Sequence, residues 1–264
     1  MAILKIKNLS KKFGGLTAIQ NLSMEVAEGE IHSLIGPNGA GKTTLFNLIS
    51  RIFKPDEGQI LFKEKDLLRI SPSKICALGI ARTFQKVELF NEMTAMENVL
   101  VGCHTLIRNG FLSAALRLNW FRTEEAQIQE KAMEALRKVG MEEYKFKKAG
   151  SLPLGQRRLL ELARALASCP KLLLLDEPAS GLNNSETESL MKVILSLCKE
   201  QGITILIVEH NMRVVMEISD NITVLNHGVK IAEGTPEEIC KNFQVIEAYL
   251  GKGSHFFGIR DANC

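Results

Sequence analysis

The chain has 264 residues, of which 45% are hydrophobic and 24% are charged, and its formal net charge is +3. This length allows one large domain or a domain with a sizeable insertion, and the composition is that of a globular protein. The basic residues are dispersed and the net charge is small, which argues against nucleic acid as a partner. No stretch approaches the roughly 18 apolar residues of a membrane span, so a role at a membrane requires a partner.

The cysteines and the N-terminus favour a reducing compartment. None of the six cysteines belongs to a C-x-x-C pair, so a zinc site is not expected. Cys169 and Cys198 stand among apolar residues and are predicted to be small core residues. The first residues lack the apolar region of a secretory signal.

Three short segments near the N-terminus have the pattern of β-strands. Residues Leu4 to Leu9 alternate between apolar and polar, which is typical of a half-exposed strand. Leu22 to Val26 and Gln59 to Phe62 are predicted as further short strands. We expect them to form an N-terminal antiparallel β portion.

A glycine-rich loop follows, between a predicted buried strand at Glu30 to Ile35 and a predicted helix at Leu45 to Ile49. It fits the pattern G-x-x-x-x-G-K-[ST], whose glycines and helix N-terminus accommodate phosphate. Lys42 is predicted to reach the β- and γ-phosphates of ATP, and the Thr43 hydroxyl to ligate Mg²⁺. The loop consists of Gly36, Pro37, Asn38, Gly39, Ala40, Gly41, Lys42, Thr43 and Thr44.

The middle of the chain is predicted to be helical. Ser71 and Pro72 suit the start of a helix, and Thr94 to Glu97 form a capping box. Glu124 to Val139 carry an apolar stripe at helical spacing. We interpret residues 87–160 as a helical subdomain inserted into an α/β P-loop NTPase core of residues 1–86 and 161–250, with 251–264 as a loosely attached tail.

The C-terminal third predicts a parallel sheet. Lys171 to Asp176 and Ile203 to Val208 are continuous apolar runs, typical of strands covered on both faces. A capping box at Ser185 to Glu188 opens a helix between them, which gives a βαβ unit. Ile222 to Glu233 is predicted as a hairpin, and Thr235 caps a final helix.

Two carboxylates follow the first of these apolar strands. Because ligands of α/β proteins bind at the carboxyl ends of parallel strands, Asp176 is a candidate for contacting Mg²⁺ through a water molecule or from outside its immediate ligands. Glu177 is a candidate for orienting the water that attacks the γ-phosphate. The alternatives are a strand-end cap and an exposed loop acid.

Several further motifs resemble those of the ATP-binding-cassette (ABC) ATPases. Leu152 to Gln156 is similar to the family's signature segment, usually L-S-G-G-Q, and Ser180 to Asn183 is similar to its D-loop. Gln85 follows Arg82-Thr83-Phe84 as in the Q-loop, and His210 follows Val208-Glu209 as in the switch region. Phe13 lies where the family places an aromatic residue that stacks on adenine.

The resemblance implies a role for each of these residues. Gln85 would touch Mg²⁺ or the attacking water and sense the transport partner. His210 would hydrogen-bond the γ-phosphate and hold Glu177, and Phe13 would stack on the base. For the histidine and the phenylalanine taken singly, a structural role is the alternative.

The signature segment departs from the usual form at two positions. Pro153 replaces the serine, whose hydroxyl contacts the γ-phosphate in the family, and Leu154 replaces the first glycine. Proline does suit the first turn of a helix. The N–H groups of Leu154, Gly155 and Gln156 could still receive phosphate from a second subunit, together with Leu152 and Pro153 in the same segment.

The chain resembles one of the two ATPases of bacterial branched-chain amino acid importers in Gly79 to Gln85, in the proline-bearing signature segment and in Val208 to Met212. This resemblance leaves urea and lipid transporters as related possibilities. It implies a peripheral protein at the cytoplasmic face of the membrane that hydrolyses ATP. Its partners would be a second, identical or different ATPase subunit, permease subunits and, indirectly, a substrate-binding protein. A soluble ABC ATPase and a regulatory nucleotide-binding module are the alternatives. The segment Phe111 to Phe121 is unusually apolar and either folds into a helix on its own domain or forms part of a surface for the membrane subunit or the partner ATPase.

Overall fold

The structure, a computed structural model, describes residues 1–106 and 119–250. Within them lie two β-sheets, one of four strands and one of six. The strands are β1 (Ala2–Phe13), β2 (Leu16–Ala27), β3 (Ile31–Ile35), β4 (Glu57–Phe62), β5 (Lys65–Asp66), β6 (Ile80–Arg82), β7 (Leu172–Asp176), β8 (Thr204–Val208), β9 (Asn221–Asn226) and β10 (Val229–Gly234).

The four-stranded sheet has the order β2-β1-β4-β5, and its paired strands run antiparallel. The predicted N-terminal antiparallel portion is therefore confirmed, although β1 and β2 extend well beyond the predicted segments. Alternation places Leu4 and Ile6 on the covered face, and an irregularity in the pairing after Ile6 brings Leu9 into the same apolar cluster.

The six-stranded sheet has the order β10-β9-β3-β8-β7-β6. Strands β6, β7, β8, β3 and β9 are parallel, and β10 adds the antiparallel edge through the predicted hairpin. Every residue of β3, β7 and β8 is buried, as their apolar runs predict. The sequence analysis missed β6, because three residues carry no readable period.

Eight α-helices lie in the described residues. Three of them, α2 to α4, pack together through buried residues that include Val99, Leu136 and Leu160. The helices are α1 (Lys42–Ile49), α2 (Ala95–Gly102), α3 (Asn119–Lys138), α4 (Leu154–Leu166), α5 (Asn184–Lys199), α6 (Met212–Ile218), α7 (Pro236–Lys241) and α8 (Phe243–Leu250). None of the helices in this part of the chain is long and apolar enough to cross a membrane.

Four local predictions were wrong. The helix expected after Ser71 is only a short 3₁₀ turn, Pro72–Lys74, because no apolar stripe continues beyond it. Helix α5 is capped by Asn183 with Glu186, not by Ser185, because the asparagine side chain accepts from the Glu186 N–H. A further helix, α8, follows the one predicted to be final. Cys169 is exposed at the turn after α4, whereas Cys198 is buried as predicted.

The division into a core of residues 1–86 and 161–250 and a helical subdomain of residues 87–160 stays a prediction. The predicted tail, 251–264, lies outside the described residues, and so does most of the apolar segment 111–121.

Candidate nucleotide site

The glycine-rich loop connects β3 to α1 and leaves no room for side chains at two of its glycines. Gly36 and Gly41 have φ of 152° and 104°. A Cβ on Gly36 would collide with the carbonyl oxygen of Leu225, and one on Gly41 would lie 2.5 Å from the carbonyl oxygen of Ala18. The backbone of neighbouring elements therefore packs directly against these two glycines, and the loop can adopt the conformation in which its N–H groups bind an anion.

Lys42 is the cation of this loop. Its Nζ donates to the carbonyl oxygens of Gly36 at 2.7 Å and Pro37 at 3.0 Å. Burial lowers the pKa of the Lys42 ammonium, and the charges of Glu177 and Asp176 partly offset that effect. A phosphate group would give this ammonium the anionic partner that the loop carbonyls only partly replace.

A cavity of about 460 Å³ opens over the loop. Phe13 borders it with its ring 41% exposed and edge-on to Phe53, with 5.2 Å between the ring centroids. Lys11 Nζ lies over the same ring, 5.3 Å from its centroid, and the exposed part of Phe13 is available to a planar base. The cavity is lined by Phe13, Leu16, Thr17, Ala18, Asn38, Gly39, Ala40, Gly41, Lys42, Thr43, Thr44, Glu177, His210 and His227.

Three side chains that sequence analysis nominated for catalysis meet at the edge of this cavity. Gln85 donates from Nε2 to Glu177 Oε2 at 2.7 Å, and His210 donates from Nε2 to Glu177 Oε1. Glu177 has φ of 49°, an uncommon value for a residue other than glycine, and such values concentrate at functional sites. Both carboxylate oxygens are thus held from different segments of the chain.

Asp176, the last residue of β7, is buried and makes an ion pair with Arg82. The Arg82 Nη2 to Asp176 Oδ2 distance is 2.9 Å. The same guanidinium donates from Nη1 to Asn47 Oδ1 at 2.7 Å and to Ser50 Oγ at 3.0 Å, beside α1. Sequence analysis gave Arg82 no role, because nothing in its local pattern shows that β6 lies beside β7.

Glu209 is a second residue whose importance the sequence analysis missed. It is buried, and its carboxylate accepts from the N–H groups of Ala179 at 2.8 Å and His210 at 3.1 Å. Burial raises the pKa of the Glu209 carboxyl, and these hydrogen bonds partly offset the rise. The residue fixes the backbone close to Glu177 and at its histidine partner.

The signature segment Leu152 to Gln156 does not reach this cavity. Pro153 is the N-cap of α4 and supplies no side-chain cap, so proline stands one position before the first helical turn in which we expected it. Leu154 is exposed, and Gly155 lies so close to Glu186 that a Cβ would be 2.7 Å from its Oε1. Within one chain, this segment and the phosphate loop are separate surfaces.

Helix α4 nevertheless contacts the Q-loop. Arg158 donates from Nη2 to the carbonyl oxygen of Gln85 at 2.8 Å, and the Phe84 N–H donates to Glu161 Oε1 at 3.2 Å. Both charged side chains are buried. Movement of α4 would therefore shift Gln85 and, through the Gln85 side-chain amide, Glu177.

The C-terminal helix α8 reaches the start of the phosphate loop. The hydroxyl of Tyr249 is hydrogen-bonded to the backbone of Gly36, and burial raises the pKa of this phenol. Tyr249 also belongs to the apolar cluster that contains Ile35, the last residue of β3. The loop is thus supported from an element more than 200 positions later in the chain.

The oxygen atoms at the site fit a hard divalent cation. No group of three histidine, cysteine, aspartate or glutamate residues that could hold a metal by itself lies in residues 1–106 and 119–250. Magnesium sites with nucleotides need only one or two protein oxygens, because the phosphates supply others. The Thr43 hydroxyl borders the cavity, and the Asp176 carboxylate lies beside Glu177.

A phosphate loop, an aromatic residue at the cavity mouth and a glutamate held by glutamine and histidine define a nucleotide-hydrolysing protein of the P-loop class. The sequence matches the family described as ABC transporter over residues 19–180. It also matches the family described as branched-chain amino acid ATP-binding cassette transporter over residues 229–255. The chain belongs to the ABC transporter family of ATPases.

Individual relatives agree with this assignment. The chain is 44% identical over 250 residues to the high-affinity branched-chain amino acid transport ATP-binding protein LivG of Salmonella typhimurium, covering 95% of this chain and 98% of LivG. The crystal structure of the ADP conformation of MJ1267, an ATP-binding cassette of an ABC transporter, is 35% identical with a TM-score of 0.83, covering 95% and 99%. The dimeric structure of a post-hydrolysis state of the cassette MJ0796, bound to ADP and Pi, is 27% identical with a TM-score of 0.73, covering 88% and 98%.

Proposed function

We propose that this chain is the ATP-hydrolysing subunit of a membrane importer for branched-chain amino acids. The observation that carries the proposed chemistry is the Glu177 carboxylate, held by Gln85 on one oxygen and by His210 on the other. The proposed substrate is supported by likeness to LivG over nearly the whole chain and by the family match at residues 229–255.

The proposed reaction is attack of water on the γ-phosphate of ATP. Phe13 stacks on the base, and the loop N–H groups and Lys42 bind the phosphates. Glu177 accepts a hydrogen bond from the attacking water and positions it, and His210 keeps the carboxylate in place. Positioning of the water dominates, and proton transfer to Glu177 comes late, because phosphoryl transfer is catalysed mainly by positioning and electrostatic stabilisation.

Thr43 and Asp176 are the residues we assign to Mg²⁺, with Gln85 as a further oxygen donor. Magnesium, when bound, neutralises charge on the β- and γ-phosphates. The side-chain amide of Gln85 can serve this purpose only through its oxygen, because its nitrogen donates to Glu177.

A second ATPase subunit completes the proposed site. Leu152 to Gln156 lie away from this chain's own cavity, with Leu154 exposed. The N–H groups of Leu154, Gly155 and Gln156 begin helix α4 and form an anion-attracting end. We assign them to the nucleotide of the partner subunit, as the dimeric form of the relative MJ0796 makes reasonable.

The permease partner is assigned to an apolar groove beside the Q-loop. The groove has a volume of about 490 Å³, and Ile52, Phe84, Phe90 and Val101 border it with exposed side chains. Exposed apolar surface of this kind marks a docking site. The position suits a cytoplasmic loop of a permease, which would hold the chain at the cytoplasmic face of the membrane as a peripheral subunit.

Arg164 is a charged residue in the lining of the groove, and a docked partner has to accommodate it. It lines the groove, burial lowers the pKa of its guanidinium, and it has no hydrogen bond or ion pair within the described part of the chain. A permease segment that fills the groove is therefore expected to bring a carboxylate or the carbonyl end of a helix to Arg164.

Reconstitution tests the proposal. The chain is co-expressed with the permease subunits, the second ATPase and the binding protein, and the complex is placed in proteoliposomes. We expect ATP-dependent uptake of leucine, isoleucine and valine, with no uptake of urea. Uptake of urea alone, or ATP turnover that no branched-chain amino acid stimulates, would overturn the proposed substrate.

The helical unit at residues 87–160 is proposed to move with the permease.

A further inference from the structure

The side chain of Arg82 connects three parts of the nucleotide site. It lies at the end of β6, and its guanidinium binds Asp176 at the end of β7 and the residues Asn47 and Ser50 at α1. Only 8% of the Arg82 side chain is exposed. The guanidinium carbon also lies 5.5 Å and 5.2 Å from the ring centroids of Phe46 and Phe84. These contacts hold the guanidinium through both of its Nη atoms and through the two rings.

Asp176 depends on this arginine for its charge balance. Its side chain is 4% exposed, and Arg82 is its ion-pair partner in the described residues. The pair uses only Oδ2, so Oδ1 keeps its hydrogen-bonding and metal-binding capacity. An ionised carboxylate this deeply buried requires a counterion, because removal from water strongly disfavours an unpaired charge.

We propose that Arg82 is the internal counterion of Asp176 and that it suppresses binding of a divalent cation until a nucleotide arrives. This inference rests on the proposed assignment of Asp176 to Mg²⁺ and adds a control on the order of binding. Arg82 is a positioning residue, since it acts on the cation through Asp176.

The positive charge of Arg82 weakens the binding of a cation at Asp176. A divalent cation that approaches Asp176 also approaches the positive charge of Arg82, and the protein offers no cluster of three acidic ligands in residues 1–106 and 119–250 to compensate. For a divalent cation about 5 Å from this unit charge, at an effective dielectric constant of about 20, the repulsion corresponds to a factor on the order of 10⁵ in affinity. The phosphates of ATP outweigh this repulsion, so the cation enters with the nucleotide.

The geometry also explains why an arginine suits this position. Its planar fork reaches Asp176 and α1 at the same time, and it stacks between aromatic rings. A lysine would keep the charge but could not make all of these contacts. The two substitutions Arg82→Met and Arg82→Lys therefore separate the effect of charge from the effect of geometry.

The test measures Mn²⁺ binding to nucleotide-free protein by the EPR signal of free Mn²⁺, for the complete chain and its variants. We expect Arg82→Met to bind one Mn²⁺ at least about tenfold more tightly than the unmodified protein, because Asp176 has lost its counterion. The double variant Arg82→Met with Asp176→Asn should lose this gain. Arg82→Lys should bind Mn²⁺ as weakly as the unmodified protein.

Two results would overturn the inference. One is equal Mn²⁺ affinity in Arg82→Met and the unmodified protein, and the other is a gain that persists when Asp176 is also replaced. Folding is checked by circular dichroism, and Arg82→Gln replaces Arg82→Met if that variant does not fold. ATP turnover by the unmodified protein is measured separately, so failure of the proposed ATPase mechanism is distinguishable from failure of the counterion role.

Discussion

Gln85 Nε2 lies 2.7 Å from Glu177 Oε2, although 92 positions separate the two residues in the chain. This hydrogen bond joins the loop after β6, which borders the apolar groove, to the carboxylate at the edge of the nucleotide cavity. A partner that shifts the Q-loop can therefore change the orientation of Glu177 without touching the nucleotide. The following predictions examine this connection and its surroundings.

Replacement of the central carboxylate should separate binding from hydrolysis. Glu177→Gln keeps the size of the side chain but removes the charge that orients water, so kcat should fall by about 10²- to 10⁴-fold. The Kd for ATP should stay within about twofold of the original. Single-turnover hydrolysis and calorimetric titration measure the two quantities. The matched control is Glu188→Gln, which alters an exposed acid paired with Arg213; an equal loss of kcat there would remove Glu177 from the mechanism.

As the pH rises, affinity for ATP should begin to decline at a lower pH than it would if Lys42 had the ordinary lysine pKa. Burial lowers the pKa of Lys42, and phosphate binds the charged ammonium, so affinity falls once the pH passes the pKa of the free protein. The decline should begin below pH 10.5, the ordinary lysine value, and approach about tenfold per pH unit. Titrations at increasing pH test this. The guanidinium that Lys42→Arg introduces stays charged, so a decline of the same shape in that variant would contradict the prediction.

Glu209 should make stability depend on pH. Because its folded-state pKa is raised, the carboxyl contributes stability that is present below the ordinary value of 4.5 and is lost as the pH rises through the folded-state pKa. Glu209→Gln cannot ionise, so the free energy of unfolding should fall with rising pH in the unmodified protein relative to the variant. Urea unfolding across this range measures it. Glu217→Gln serves as an exposed control, and a difference that does not vary with pH would refute the prediction.

Loss of the Arg164 guanidinium from the groove should weaken docking but not nucleotide binding. Arg164→Ala removes the guanidinium that we expect to meet an acidic or carbonyl group of the permease. We predict at least about a tenfold weaker association with the permease complex, as expected for a charge-assisted hydrogen bond. Co-purification and titration measure it. Arg213→Ala, on an exposed helix start, should leave association unchanged; equal effects of both would show that overall charge, not the groove, governs docking.

The bond between the C-terminal helix and the phosphate loop should matter for both stability and affinity. Tyr249→Phe keeps the ring in its apolar cluster but removes the hydroxyl that meets the Gly36 backbone. The free energy of unfolding should fall by about 1 kcal/mol, and ATP should bind less tightly. Denaturant unfolding and ATP titration measure these effects. Tyr144→Phe is the control, since Tyr144 lies far from the loop in the chain; an unaltered ATP affinity in Tyr249→Phe would disprove the support role.

Local patterns in the sequence were sufficient for most elements of the fold. The alternation in β1, the apolar runs of β7 and β8 and the capping box at Thr94 each depend on neighbours along the chain, and the structure has them where expected. The three residues of β6 form a strand only because β7 lies beside them. For the same reason, no period or motif could show that Arg82 pairs with Asp176.

The candidate site divides in the same way. The loop at Gly36 to Thr44 and the acid at Glu177 are recognisable because their chemistry requires fixed residue types at fixed spacing. The buried support of Glu209 and Tyr249 depends on contacts between segments far apart in sequence. The signature segment stays a predicted contact to a partner's nucleotide, and its proline caps α4 instead of occupying the first turn.

During synthesis, the phosphate loop acquires its supporting contacts only after most of the chain has been translated. Strand β3, which ends just before Gly36, is flanked by β8 and β9, and the loop itself rests on Leu225 and Tyr249. A ribosome that has translated only the N-terminal half has already produced every glycine of the motif, yet none of these supports exists. Synthesis proceeds from the N-terminus, so the nascent chain gains all of these supports only when helix α8 has emerged.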